Sequence, residues 1–168
     1  MLQRTETRLS VLFVCLGNIC RSPMAEGAFR AAALRAGLEC EVQSAGTASY
    51  HIGEPPDPRA IAVAQANGVD ISLFLGRQLA SDDFYAFSHI FALDTANLAG
   101  IRSRSPQQAR AKICLLMDCV PGHEGTAIKD PYHGDEADFE RAWSEIDLAT
   151  KALVERFRSE GVDASFGA

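Results

Sequence analysis

The chain has 168 residues, 47% of them hydrophobic, and a formal net charge of −6 at pH 7. That is enough chain for one domain with its own core; the acidic balance speaks against a nucleic-acid partner, and no apolar run is long enough for membrane insertion. Five cysteines, an odd number with no histidines at zinc-site distances, point to a reducing compartment, no disulfide framework and no metal site.

Residues 1–8 read as a polar N-terminal extension without a signal-peptide core, so a cytoplasmic location is expected. Residues 9–14 (LSVLFV) are a short apolar run and predict a buried strand. An alanine-rich helix follows over 23–36, with Ser22 as N-cap, Pro23 as first helical residue and Gly37 as terminator. Residues 40–45 (CEVQSA) alternate more and suit a strand nearer a sheet edge. Asp57-Pro58 repeats the helix start, with Ile61, Ala62 and Ala64 as apolar positions before Gly68. Two more buried strands are expected at 88–93 (SHIFAL) and 112–117 (KICLLM), with a shorter helix at 95–104 between them. Phe139, Trp143, Ile146, Leu153 and Phe157 share one face of a last helix, which Gly161 follows. The domain is thus expected to span 9–160, with 161–168 as a tail.

Strands alternating with helices imply right-handed crossovers and a parallel sheet, so the expected fold is a single-domain, doubly wound α/β structure. Ligands bind beyond the carboxyl ends of such strands. That rule points to the loops beginning at Cys15, Thr47, Asp94 and Val120.

The first of these loops carries the chemistry. Between a strand and a helix start it reads Cys15-Leu16-Gly17-Asn18-Ile19-Cys20-Arg21-Ser22-Pro23. Consecutive N–H groups of residues 16–20 in so short a loop form an anion nest when the backbone curls. Gly17 and Asn18 tolerate the positive φ that such a curl needs. The helix start adds its dipole, and Arg21 offers a permanently charged fork matched to phosphate oxygens. The same field acts on the Cys15 sulfur. Thiols in such surroundings have pKa values of about 3.5–7.5, which makes Cys15 a candidate nucleophile at neutral pH. The Ser22 hydroxyl is placed to donate a hydrogen bond to that thiolate. A buried thiol of no function is the bland alternative for a bare Cys-x₅-Arg pair; the strand before, Ser-Pro after and Gly-Asn within decide against it.

The leaving oxygen of a phosphate ester needs a proton. Asp130, in the run DPYHGD, is the candidate acid: Pro131 holds it extended, and Tyr132 is an apolar wall that raises a carboxyl pKa and flanks an aromatic ring. By spacing alone, Asp130 is one carboxylate among many, in a loop that also suits the start of the last helix.

The runs CLGNICRSPMAE (15–26) and DPYHGD (130–135), together with SAGT (44–47), PPDPRA (55–60) and GVDIS…GRQ (68–78), resemble the low-molecular-weight protein tyrosine phosphatases. The resemblance implies a four-stranded parallel sheet with helices on both faces and no cofactor. It makes Cys15 the nucleophile that becomes phosphocysteine, Arg21 the phosphate clamp, and Asp130 first the acid and then the base. Asn18 and Ser44 match positions that hold the loop in shape. Cys20 matches a cysteine that traps the oxidised nucleophile as a disulfide; packing is the equal alternative. Tyr50 falls where an aromatic side chain lines the rim, or is simply exposed. His133 replaces a second tyrosine beside Tyr132 and reads as a solvated loop histidine. Ile19 stands where relatives that dephosphorylate arginine carry threonine, which favours phosphotyrosine over phosphoarginine.

The expected partners are therefore a phosphotyrosine protein or small aryl phosphate, with phosphate or vanadate as inhibitors, and the expected state is a monomer. Other readings are a protein-arginine phosphatase, a thiol-linked arsenate reductase and a non-catalytic phosphate-binding module. A reductase needs further cysteines after the third strand, and residues 93–97 (LDTAN) contain none. Asp94 and Asn97 read as supporting residues. His51, His89 and His123 read as loop or surface residues, and Cys40, Cys114 and Cys119 as packed thiols.

Overall fold

The first apolar run becomes β1, Ser10–Cys15, in which every residue is buried. In a computed structural model, residues 8–160 are described; residues 1–7 and 161–168, hence nearly all of the expected extension, the tail and the Gly161 stop, lie outside the described residues. β1 pairs in parallel with β2 (Glu41–Gly46) on one side and β3 (His89–Ala92) on the other; β3 pairs in parallel with β4 (Lys112–Leu115). The order β2-β1-β3-β4 is that of a doubly wound sheet, with its topological switch between β1 and β3. β2 is an edge strand, as its alternation predicts.

Because β1 is covered on both faces, its side chains divide by parity. Val11, Phe13 and Cys15 face a large core beneath α1 (Arg21–Ala36), α2 (Pro58–Ala66) and α5 (Glu136–Glu160). Leu12 and Val14 face a smaller one with Phe84, Ile90 and Ile101, from α3 (Asp83–Ala86), β3 and α4 (Thr95–Arg104). Phe13 is central to the first core, its ring 5.7 Å from Phe29 and 5.9 Å from Phe91. The five expected positions of α5 are all buried. No helix among the described residues is long and apolar enough to cross a membrane.

Several boundaries differ from the sequence reading. α1 starts at Arg21, two residues early; Cys20 is its N-cap, without a side-chain capping bond. Ser22 therefore does not cap, because its hydroxyl is taken up inside the site. Gly37 ends the helix as predicted, at φ 68. Asp57 caps α2 by accepting from Arg59 N, but the helix buries Ala60 and Ala64, and Ala62 is exposed. β4 stops at Leu115, because the Asp118 carboxylate accepts from Leu115 N and folds residues 116–119 into a 3₁₀ turn. His89 is not a surface residue: it lies in β3 at 4% exposure, its ring 5.1 Å from Phe157. Burial, and then Lys112, lower its pKa to about 4. Cys119 is buried and Cys40 and Cys114 are half-buried; burial pushes Cys40 and Cys114 up to about 12.

Candidate active site

Residues 16–20 join the end of β1 to α1 beside the switch point. Asn18 has φ 58, the single positive value outside glycine among the described residues. Its amide is what holds the curl. Oδ1 accepts from Arg77 N at 2.9 Å, and Nδ2 donates to Ser22 Oγ at 2.8 Å and to Ser44 Oγ at 3.0 Å. The Ser44 hydroxyl in turn donates to Glu26 Oε1 at 2.8 Å, and Glu26 pairs with Arg30. The brace thus reaches into β2 and α1. From outside, Gly46 closes against the loop: a Cβ there would lie 2.7 Å from the Leu16 carbonyl oxygen. Only glycine fits that approach.

The same network orients Ser22. An amide nitrogen only donates, so Ser22 Oγ is the acceptor toward Asn18, and its single proton is left for another partner. The nearer partner is Cys15 Sγ at 3.0 Å; the Ala45 carbonyl is at 3.4 Å. The hydroxyl thus donates toward the sulfur. A carboxylate at this place would have repelled an anion; a pre-aimed hydroxyl stabilises one.

Arg21 is 2% exposed, and its Nη1 donates to Asp94 Oδ2 at 2.6 Å and to the Ile128 carbonyl at 2.9 Å. Nη2 stands 3.5 Å from Asp130 Oδ2. Burial by itself would lower the Arg21 pKa, but Cys15, Asp94 and Asp130 outweigh it and raise it. Asp94 also anchors the next helix: its Oδ1 accepts from Asn97 N and caps α4. One guanidinium edge is thus fixed to the fold, which aims the other.

A cavity of about 230 Å³ opens over this loop, lined by Cys15, Leu16, Gly17, Ile19, Cys20, Arg21, Tyr50, His51, Asp130, Tyr132 and His133. The structure brings together every sequence-predicted loop and rim residue there except Asn18, Ser22 and Ser44, which lie underneath as the brace. The Asp130 carboxyl accepts from Tyr132 N at 3.1 Å and its side chain is 42% exposed, so the Tyr132 wall does not by itself bury it. Tyr132 and His133 meet edge to face at 4.9 Å. Burial, reinforced by Asp57, Cys15 and Asp130, pushes the Cys20 thiol up, so Cys20 stays protonated beside the loop.

Two residues escaped the sequence reading. His51 lines the cavity, held by Glu54 at 2.6 Å, and a Cβ on Gly17 would lie 3.2 Å from its ring. Arg59 joins the two halves of the site. It donates to the Tyr132 carbonyl at 2.9 Å and the Gly134 carbonyl at 3.3 Å, and its guanidinium lies 5.7 Å from the Tyr132 ring and 4.5 Å from that of Phe139. Its other anchor is the Asp57 carboxylate, which Arg59 holds below the usual range. Asp57 N donates in turn to the Ile19 carbonyl at 2.8 Å. A continuous strut therefore runs from the Cys15 loop to the Asp130 loop. The run PPDPRA was visible in the sequence, but nothing in it names a partner 73 residues away.

A cysteine and an arginine bracket the loop of residues 16–20 at the switch point of a doubly wound sheet, and both line one cavity with Asp130. The family model described as low molecular weight phosphotyrosine protein phosphatase matches residues 10–163. The chain belongs to that family, and is a hydrolase. A relative of that name from Schizosaccharomyces pombe is 43% identical over 134 residues, covering 78% of this chain and 85% of its own. Among solved structures, a protein tyrosine phosphatase from Entamoeba histolytica superposes with TM-score 0.85 at 35% identity, covering 90% of this chain and 97% of its own. A Drosophila arginine phosphatase superposes at 0.83 with 31% identity, covering 90% and 99%. The four-stranded parallel sheet with helices on both faces is the fold that the resemblance implies.

Proposed function

We propose that the protein hydrolyses phosphotyrosine in two steps through a phosphocysteine at Cys15. In the first, Cys15 Sγ attacks phosphorus in line; the S–P bond forms as the P–O bond to the phenol breaks, and protonated Asp130 delivers its proton to the leaving oxygen. The loop N–H groups and Arg21 hold the remaining phosphoryl oxygens where charge builds up. In the second, water attacks phosphorus, the Asp130 carboxylate takes its proton, and phosphate leaves as the S–P bond breaks. The Ser22 hydroxyl stabilises the sulfur as leaving group.

The observation that carries this reading is the donation of Ser22 to Cys15 at 3.0 Å under a buried Arg21 that also faces Asp130. Ile19, 9% exposed and lining the cavity, favours a phenol over a guanidinium. A methyl-rich side chain there offers no hydrogen bond to a phosphoramidate nitrogen. The arginine phosphatase among the structural neighbours makes phosphoarginine the second reading. Rates on phosphotyrosine, phosphoarginine and phosphoserine peptides test it: phosphotyrosine is expected to be fastest, and faster turnover of phosphoarginine would overturn the substrate assignment. Phosphate and vanadate are expected to compete with substrate and to raise the Tm, since they bind only the folded nest.

Cys20 has a protective role in this scheme. Peroxide oxidises the Cys15 thiolate to a sulfenic acid, and the Cys20 thiol condenses with it, forming a disulfide and releasing water. Peptide mapping after mild peroxide is expected to find the Cys15–Cys20 crosslink; sulfinic acid at Cys15 without a crosslink would remove this role.

A further inference from the structure

Leu34, Tyr85 and Leu148 are exposed singly, each on a different helix. A second group of exposed apolar side chains lies at the cavity rim and on the segment hydrogen-bonded to the rim loop. Leu16 and Tyr50 line its mouth, 45% and 72% exposed. Ile52 follows His51 out of the cavity and is 58% exposed. The next step outward is a backbone contact: Gly53 N donates to the Gly76 carbonyl and Gly76 N to the Glu54 carbonyl, both at 2.8 Å. A Cβ on Gly76 would collide with the His51 carbonyl oxygen, so glycine is what lets the chain at residue 76 lie against the rim loop. Leu75 precedes that glycine at 66% exposure, and Leu73 is 88% exposed. Phe74 between them turns inward and packs on the core. The two leucines stand in water on either side of an anchored ring, which gains the fold nothing. A run of apolar side chains leading out of a polar site marks a contact surface.

We propose that Ile52, Leu73 and Leu75 form a docking shelf for apolar side chains that flank the phosphotyrosine of a protein substrate. The proposal rests on the phosphotyrosine reading above. With the phosphoryl group in the Cys15 loop and the ring between Tyr50 and Tyr132, the substrate backbone leaves at the cavity mouth. Its neighbouring residues then step outward by roughly 3.3 Å each. Those that leave past Tyr50 follow the rim loop that carries Ile52 and, through the Gly53–Gly76 contact, the segment of Leu73 and Leu75. Charge narrows the occupant further: Glu54 stands beside the shelf with its side chain 57% exposed, on a chain of net charge −6. Acidic flanks and anionic lipid are both repelled there.

The test compares three substrates: para-nitrophenyl phosphate, which is too small to reach the shelf, and two phosphotyrosine peptides whose flanking residues are leucines or serines. The wild type is expected to turn over the leucine-flanked peptide with a kcat/KM roughly tenfold above the serine-flanked one. In the double variant Leu73→Ser, Leu75→Ser the two peptides are expected to become equal, with para-nitrophenyl phosphate kinetics unchanged. Both sites are exposed, so the variant is expected to fold. Equal peptide rates in the wild type, or a preference that survives in the variant, would overturn the shelf. So would a wild-type dimer by light scattering that the double variant dissociates, because a second copy would then be the occupant. No turnover of para-nitrophenyl phosphate by the wild type would overturn the phosphatase reading, and the shelf with it.

Discussion

The two halves of the site are held in different ways. The Cys15 loop is braced from below by buried side chains: Asn18 serves Arg77, Ser22 and Ser44, and Gly46 is pressed against the backbone. The Asp130 loop is open to solvent and is tied down mainly from the side, by Arg59 on the carbonyls of Tyr132 and Gly134. Phosphate is the same in every substrate, whereas the leaving group and its surroundings vary. A braced cradle with a solvent-exposed Asp130 fits that division.

If the division is right, removing the acid costs the most. Asp130→Asn is expected to lower kcat roughly 10²–10⁴-fold on phenyl phosphate and less on para-nitrophenyl phosphate, whose leaving oxygen needs the proton less. Equal losses on both esters would deny it the acid's role. Next comes the brace. Asn18→Ala leaves the Arg77 N–H without its acceptor and the Ser22–Ser44 pair without its donor in a buried place. Chemical denaturation is expected to show a loss on the order of 2–4 kcal/mol, with phosphate affinity falling as well. A variant as stable as the wild type would mean that the curl does not need its amide.

The scaffold beneath the cradle carries a pH signature. His89, with its pKa lowered from 6.5 to about 4, is neutral in the fold over a range where the unfolded chain binds a proton. Stability is therefore complete above about pH 6.5 and is lost as pH falls toward 4, by on the order of 3 kcal/mol. In His89→Phe that part of the slope in urea midpoint against pH is expected to vanish. Persistence of the full slope would place its source elsewhere. The smallest effect belongs to the strut. Arg59→Leu is expected to lower kcat about tenfold for poor leaving groups and hardly at all for good ones, with phosphate inhibition unchanged. A uniform fall on all esters, or weaker phosphate binding, would mean that the strut supports the cradle as well, and the comparison would fail.

What could be read from the sequence follows how local each interaction is. The Cys15 loop is contiguous, and its strand, curl and helix start lie within about fifteen residues, so its shape is written in order. β1 and α5 are legible because burial imposes an unbroken apolar run on one and a helical stripe on the other. Asp130 gains its place only through resemblance to a family, since one carboxylate in a loop looks like any other. The rest depends on contacts between distant residues. Asp94 fixes Arg21 from 73 positions away, and Arg59 meets Tyr132 across the same interval. α3 is four residues long and too short to show a period. The last strand is cut short by the Asp118 carboxylate, which no apolar pattern announces.

The central claim is a covalent bond between phosphorus and Cys15. Wild-type enzyme mixed with excess para-nitrophenyl phosphate, quenched in denaturant within the first turnovers and mapped by mass spectrometry, is expected to carry a phosphoryl group on the Cys15 sulfur. Cys15→Ser is expected to carry none and to have lost turnover. Full turnover by that variant, or a phosphoryl group trapped on any other side chain, would contradict the account.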